Sequence, residues 1–282
     1  MTTPLSAPST IASALRAAAS RGVDRLDAHM LLLHAMGRPP HDRAWLLAHD
    51  ADLLDAASQA LFEAALERRM RGEPLAYITG HQEFYGLDLQ VDARVLCPRA
   101  DTETLVDWAL QVLPANANAE VVDLGTGSGA IALAIQHQRP DAQVHARDIS
   151  VNALDVARAN AHRLGLKVTF SQGAWLQGLD DPWDAIVSNP PYIAAADPHL
   201  AALTHEPLQA LASGADGLDD LRTIVKQAAS RLKPGGWLLL EHGYDQADAV
   251  CAMLRSAGFA DVQSRQDLAG IARCTGGRWL GP

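Results

Sequence analysis

AEVVDLGTGSGAIALAIQHQ, residues 119–138, decides the fold. A short apolar run, AEVVDL, stops at a turn with glycines at 125, 127 and 129, and a second apolar run, AIALAIQHQ, follows. The first run has the length of a buried strand and the second reads as a helix. Glycine lets a backbone take unusual angles and approach a ligand closely, and a glycine-rich turn between strand and helix is where nucleotide-type ligands are held. Working outward, QVHARD (143–148), KVTFSQG (167–173), DAIVSN (184–189) and WLLLEHG (237–243) read as strands. SVNALDVARANAHRLG (150–165) and DQADAVCAMLRSAG (245–258) read as helices. Alternating strands and helices predict a doubly wound, mainly parallel sheet covered on both faces. FADVQSR (259–265) and ARCTGGRWL (272–280) are expected to add antiparallel edge strands.

The amino-terminal part has a different pattern. Residues 1–75 are predicted to be all helical, without a chemical motif. Ser9 and Thr10 can cap a helix bearing Ile11, Leu15 and Ala18, and Leu26, Met30, Leu31 and Leu33 mark a second. A third is expected from about Asp52, with Leu54, Leu61, Leu66 and Met70 on one face. GHQEFYGLDLQV, within a 76–97 linker, reads as a strand pair around Gly86. From there to residue 282 runs the sheet domain. It begins with a helix capped by Thr102 and faced by Leu105, Trp108, Ala109 and Val112.

The 282 residues carry 23 Lys and Arg against 33 Asp and Glu, a formal charge of -10. That balance argues against a general electrostatic grip on nucleic acid. Cys97, Cys251 and Cys274 are odd in number and widely spaced, which suits a reducing compartment and offers no metal knuckle. The start of the chain lacks a secretory pattern and no apolar run is of spanning length, so a cytoplasmic location is expected.

Two ligands suit the turn. A dinucleotide would use Gly125, Gly127 and Ala130 as a GxGxxA fingerprint, with Asp148 at the end of the next strand on a ribose. Asp123 beside the turn would repel a pyrophosphate but favour the cationic amino acid and sulfonium of S-adenosylmethionine. The second motif, VSNPPYI (187–193), ends the expected fourth strand of the sheet and opens at the switch point where ligands bind. An NH2 group on a carbonyl or ring is a poor nucleophile because its lone pair is delocalised. The Asn189 side-chain oxygen and the Pro190 carbonyl can hold its hydrogens and favour the positive charge that develops, while Tyr192 stacks on the planar group.

These motifs resemble the HemK/PrmC-like protein glutamine methyltransferases over nearly the whole chain. DLGTGSGAIALA (123–134) and NPPYI (189–193) are shared with many amino-group methyltransferases. EPLAYITGHQEFYG (73–86), LCPRADTETLV (96–106), EPLQALASGADGL (206–218), LKPGGWLLLEHGYDQ (232–246) and DLAG (267–270) are more specific to the family. The resemblance implies a Rossmann-like domain with a seven-stranded sheet over 98–282, a β-hairpin linker and a small helical domain at 1–75 that binds the substrate protein. It implies S-adenosylmethionine contacts at Asp123, Leu124, Gly125, Thr126, Gly127, Asp148, Trp175 and Asn189, and no metal. Substrate contacts fall on Asn189, Pro190, Pro191 and Tyr192. The implied substrate is the glutamine of the Gly-Gly-Gln motif in class 1 peptide-chain release factors. Neither nucleic acid nor membrane is a direct partner, and a monomer is expected. Arg99 and Glu103 are expected to order the hinge, and Glu241 to be a buried structural acid or part of the rim. His242 and Cys97 stand where the family usually has aliphatic residues. The alternatives are a ribosomal-protein glutamine or a nucleic-acid adenine as methyl acceptor, an NAD-dependent oxidoreductase, and a non-catalytic scaffold that binds the same cofactor.

Overall fold

The computed structural model describes residues 9–115 and 118–281, in two compact units that meet in sequence between Gly80 and His81. The first unit is helical: α1 (Ile11–Ser20), α2 (Arg25–Ala35), α3 (Arg43–Ala48), α4 (Ala56–Met70) and α5 (Leu75–Thr79). Thr10, Asp24 and Asp55 accept backbone N–H groups at the first turns of α1, α2 and α4, filling donors a helix start leaves open. Ile11, Leu31, Leu32, Leu33, Phe62 and Leu66 form the core. The third helix of the sequence reading therefore starts later than expected, after the Asp55 cap. Its buried face is Ser58, Phe62, Ala65 and Leu66, while Leu61 and Met70 are exposed. Residues 75–79, expected to lead into a strand pair, form α5 between Pro74 and Gly80.

The second unit opens with the hairpin β1 (His81–Phe84) and β2 (Leu87–Gln90). Then come α6 (Glu103–Val112), β3 (Glu120–Leu124), α7 (Ala130–Gln138), β4 (Gln143–Asp148), α8 (Val151–Leu164), β5 (Val168–Gln172) and β6 (Trp183–Ser188). The chain ends with α9 (Asp219–Ala228), β7 (Leu232–Glu241), α10 (Ala247–Ser256), β8 (Ala260–Gln266) and β9 (Ala272–Arg278). Among the described residues seven strands form one sheet in the order β5-β4-β3-β6-β7-β9-β8. The first five are parallel, and β9 runs antiparallel to both its neighbours. Val121, Val187 and Leu239 pack with α6 and α7 on one face. Val122, Ile186 and Leu238 pack with α9 and α10 on the other. The order reverses at β3, with β4 on one side and β6 on the other, so the crevice of a doubly wound sheet opens beyond their carboxyl ends. Among the described residues no helix is long and apolar enough to cross a membrane.

Asn160 ties the hairpin to the crevice. Fully buried on α8, it accepts from Gln90 N at 2.7 Å and donates to Gln90 O and Ser128 O at 3.0 Å each. Those bonds join β2 to the glycine turn and bring the segment that follows the hairpin, Arg94 to Leu96, to the rim of a cavity.

Candidate active site

The turn after β3 is held from two sides. Gly125 N and Thr126 N donate to Arg147 O at 2.8 and 3.0 Å, and Gly127 N donates to Asp148 Oδ2 at 2.9 Å. The other Asp148 oxygen accepts from Ser150 N at 2.9 Å, so this carboxylate joins the turn to the start of α8 while facing the cavity. Burial raises its pKa and these N–H bonds oppose that. Gly125 has φ +72, and an added Cβ would lie 3.3 Å from the Trp175 ring. A side chain here would be strained by the backbone angle and would press on that ring. Trp175 itself has φ +45, an uncommon setting for a bulky residue and a mark of local strain. Beneath its loop lies Arg147, buried, with Nη2 donating to Gln177 O at 2.6 Å. Gly125, Gly127, Asp148, Ser150, Trp175 and Asn189 are among the lining of a cavity of about 200 Å³.

A second, smaller cavity lies on the other side of Asn189, lined by Leu96, Arg99, Tyr192, Ile193, Leu203 and Leu211 among others. Asn189 thus stands in the wall between the two. Its Nδ2 donates to Thr102 Oγ1 at 3.2 Å, and its Oδ1 is buried without a hydrogen-bond partner. The loop carrying it is braced from behind. Ser188 Oγ donates to Leu124 O at 2.7 Å, and Gln246 Nε2 donates to Tyr192 O at 2.9 Å. Arg99 pairs with the buried Glu206, whose other oxygen accepts from Cys97 N at 3.3 Å. These bonds fasten the segment after the hairpin to the segment after the double proline.

Of the residues expected at the cofactor, Gly125, Gly127, Asp148, Trp175 and Asn189 line the first cavity. Leu124 is core, and Thr126 is buried with its hydroxyl on Asp123 Oδ2 at 2.6 Å. Asp123 is fully buried beneath the turn and lines neither cavity. The same Asp123 oxygen accepts from Ala132 N at 3.2 Å, so the side chain braces the turn against α7. Burial, with the nearby Asp148 charge, pushes its pKa up to about 7 against those two bonds. Of the residues expected at the substrate, Pro191 lines the first cavity and Tyr192 the second. Pro190 is buried and lines neither.

Three features escape a motif reading. Thr102 makes no capping bond to α6. It closes the 3-10 turn Ala100–Thr102 with helical φ -65 and ψ -19 instead of the extended angles of a capping residue, and its hydroxyl accepts from Asn189. Exposed Ile149 extends the rim beyond Asp148, and an apolar residue after a strand-ending acid was the available signal. His242 is wholly buried. Its Nδ1 meets Gly243 O at 2.8 Å and so carries the proton, leaving Nε2 to accept from Thr275 Oγ1 at 2.7 Å.

The residues present fit an adenosine with a cationic amino-acid tail. Asp148 retains lone pairs for ribose hydroxyls, Trp175 offers an aromatic wall, Gly125 lets the backbone come close, and no phosphate-binding cation is built into the turn. With the doubly wound sheet and the Asn-Pro-Pro-Tyr loop at its switch point, this site defines an S-adenosylmethionine-dependent methyltransferase. Residues 102–247 match the methyltransferase small domain, and residues 9–80 match the PrmC N-terminal domain. The chain is 51% identical to the release factor glutamine methyltransferase of Xylella fastidiosa strain Temecula1, over 97% of this chain and 99% of that one. It is 48% identical to the enzyme of the same name from Burkholderia pseudomallei, over the full length of both. A methyltransferase structure from Pyrococcus furiosus shares the fold at 17% identity, with a TM-score of 0.54 over 78% of this chain and 100% of that one. The chain belongs to the release factor glutamine methyltransferase family.

Proposed function

We propose that this enzyme transfers the methyl group of S-adenosylmethionine to the side-chain amide nitrogen of the Gly-Gly-Gln glutamine of class 1 peptide-chain release factors. The observation that carries the site assignment is Asn189 Oδ1, a buried acceptor without a partner in the wall between the two cavities. A buried polar atom left unpaired is costly. Its persistence here suits a group whose partner arrives with the substrate. The relatives' shared name supports glutamine over a nucleic-acid base, and the charge of -10 points the same way.

Bound in the first cavity, S-adenosylmethionine supplies an electrophilic methyl group on a positively charged sulfur. Asp148 holds the ribose, Trp175 faces the adenine, and the backbone at Gly125 and Gly127 lies along the ligand. The glutamine side chain enters the second cavity, with Tyr192 against its planar amide. Asn189 Oδ1 takes one amide hydrogen. Pro190, expected to take the other, lines neither cavity, so its carbonyl has no part here. As the nitrogen turns tetrahedral and its charge grows, the Asn189 acceptor interacts more strongly, so it favours the transition state over the ground state. As the N–C bond forms, the S–CH3 bond breaks with its electron pair left on sulfur, giving S-adenosylhomocysteine. The amide proton becomes acidic as the new bond forms and passes to water, so no strong base is needed first.

The helical unit, matched by the PrmC N-terminal domain, is assigned to recognition of the release factor, and the enzyme acts as a monomer. One competition assay tests the substrate. Labelled S-adenosylmethionine is incubated with a bacterial class 1 release factor, ribosomal proteins and DNA. Label is expected on the release factor alone, and not on one with the motif glutamine changed to alanine. Label on a ribosomal protein or on DNA would overturn the assignment.

A further inference from the structure

An asparagine amide is nearly symmetric, and a half-turn exchanges its oxygen for its NH2 group. The catalytic assignment of Asn189 requires the oxygen to face the substrate, so something must set the amide's orientation. Its Nδ2 faces Thr102 Oγ1 at 3.2 Å. Beside both lies Glu241, the last residue of β7, 1% exposed and one step past the Ser188–Leu240 pair that sets it next to Asn189; Thr102 and Asn189 both favour its ionised form. One Glu241 oxygen, Oε2, has no hydrogen-bond partner. The sheet makes this arrangement rigid: Ser188 pairs with Leu240 across β6 and β7, and Glu241 pairs with Cys274 across β7 and β9.

Building on the assignment of Asn189 as the amide acceptor, we infer that Glu241, relayed in part through Thr102, is a positioning residue that holds the Asn189 amide with its oxygen toward the substrate. The reason is donor and acceptor arithmetic. An ionised carboxylate accepts and cannot donate. The Asn189 NH2 must then point at it and at Thr102 Oγ1, while the Thr102 hydroxyl gives its own proton to Glu241. The reverse orientation would set the Asn189 oxygen against the carboxylate. A protonated Glu241 can donate to a reversed Asn189, which removes the discrimination. The negative charge also polarises the Asn189 amide and strengthens its oxygen as an acceptor. Thr102 shows the same demand from the other side, since its hydroxyl is at Asn189 instead of capping α6.

The ionised form is the active one, and burial works against it. Glu241 is pushed up to about 7 by burial first, with the Asp101 charge adding, while Thr102, Asn189 and Arg273 favour ionisation. The groups facing it are Asp101 and Thr102 before α6, Asn189 and Tyr192 after β6, and Arg273 and Cys274 on β9. Arg273 is shared with Asp101 at 3.3 Å and Asp267 at 3.1 Å. With cofactor and release factor saturating, the methyl-transfer rate should therefore rise with pH through about 7, as one proton leaves Glu241.

Single-turnover transfer across pH 5.5–9 tests this on wild type, Glu241→Gln, Thr102→Ser, Thr102→Val and Asn189→Ala. Glutamine keeps the shape but can donate as well as accept. Glu241→Gln should lose ~10–100-fold in rate at pH 8, less than the ~10²–10³-fold of deleting a preorganised partner outright. It should leave the cofactor Kd and the release-factor KM in place and lose the limb near pH 7. Thr102→Ser should retain the wild-type rate and limb, and Thr102→Val should fall with Glu241→Gln. If Glu241→Gln proves unfolded by circular dichroism, the threonine pair and the wild-type limb decide. Wild-type rate and limb in Glu241→Gln or Thr102→Val, with Asn189→Ala inactive, would overturn the positioning role and leave the acceptor assignment standing. A fully active Asn189→Ala would overturn the acceptor assignment itself.

Discussion

The ends of β3 and β6 lie side by side in the sheet and treat their polar atoms in opposite ways. At the glycine turn beyond β3, the carboxylate that faces the cavity, Asp148 from the end of the adjoining β4, is already engaged: one oxygen accepts from Gly127 N and the other from Ser150 N. Beyond β6, the Asn189 oxygen in the wall of both cavities has no partner. A binding surface gains from being satisfied before the ligand arrives, since less must be reordered on binding. A catalytic surface gains from an acceptor whose strongest partner exists only in the transition state. The contrast yields opposite expectations for the two ends. Substitutions at β6 should change rate with small effects on folding, and substitutions at β3 should change cofactor affinity and stability together.

The largest effect is expected from Asn189→Ala. Single-turnover methyl transfer should fall by ~10²–10³-fold, as when one preorganised donor or acceptor is removed. The melting temperature should change little, because loss of the Nδ2–Thr102 bond is offset by removal of an unpaired buried oxygen. Asn189→Asp keeps an acceptor and should fall between wild type and alanine. A large loss of stability in Asn189→Ala would erase the contrast, because the β6 end would then be structural.

Asp148→Ala comes next and should do the reverse. It removes the acceptor for two backbone N–H groups and for the ribose, so calorimetry should show cofactor affinity weaker by ~1–3 kcal/mol. The apoprotein should also melt lower, while transfer at saturating cofactor stays closer to wild type than in Asn189→Ala. Unchanged affinity would remove Asp148 from the site. A smaller effect on the same end is expected from Gly125→Ala. A Cβ at φ +72 costs ~1–2 kcal/mol, and it meets the Trp175 ring at 3.3 Å. Tryptophan fluorescence and cofactor titration should report a displaced Trp175 and weaker binding. Wild-type values in both would mean the ring has room to yield.

The same contrast explains what was legible in the sequence. β3, β6 and α7 were readable to within a residue, because a strand buried on both faces leaves an unbroken apolar run and the glycine turn marks where β3 ends, while β7 starts five residues before the expected 237. Asp148, Trp175 and the Asn-Pro-Pro-Tyr loop were readable as motifs, each tied to one short segment. The helical unit was read less well. The short α3 is too brief for a period, and Phe62 rather than Leu61 faces its core, which only tertiary packing decides. Thr102 read as a cap because threonine before a helix usually is one, and the 3-10 turn that replaced it leaves no mark in the sequence. Glu241 was visible only as an acid ending a strand. Its meaning depends on a neighbour 52 positions away, Asn189, and on another 139 away, Thr102, brought together by strand order.

Asp123 gives the smallest effect, and it tests whether the β3 end is satisfied throughout. One of its oxygens is engaged by Thr126 and Ala132, but Oδ1 is buried beneath the turn without a partner. Its carboxyl is pushed up to about 7 by burial. A carboxyl raised on folding holds its proton more tightly in the folded state than in the unfolded one. Its contribution to stability is complete below the unfolded value near 3.8 and is lost as pH climbs through about 7. The interval between those values corresponds to at most ~4 kcal/mol at 1.36 kcal/mol per pH unit. In Asp123→Asn the charge is gone, but the new NH2 lacks an acceptor and takes back ~1–3 kcal/mol. The residue should be ~1 kcal/mol, which for a unit of this size is about 2–4 °C in Tm. The variant should therefore gain on wild type as pH rises from 4.5, most steeply midway between the two values, and level off above 7, in scanning calorimetry of the apoprotein. S-adenosylmethionine should reverse the order at pH 8, since a bound cation favours the ionised Asp123 and gives the asparagine less. A difference in Tm that does not vary with pH would mean that Asp123 stays ionised throughout, and that the turn already satisfies its charge.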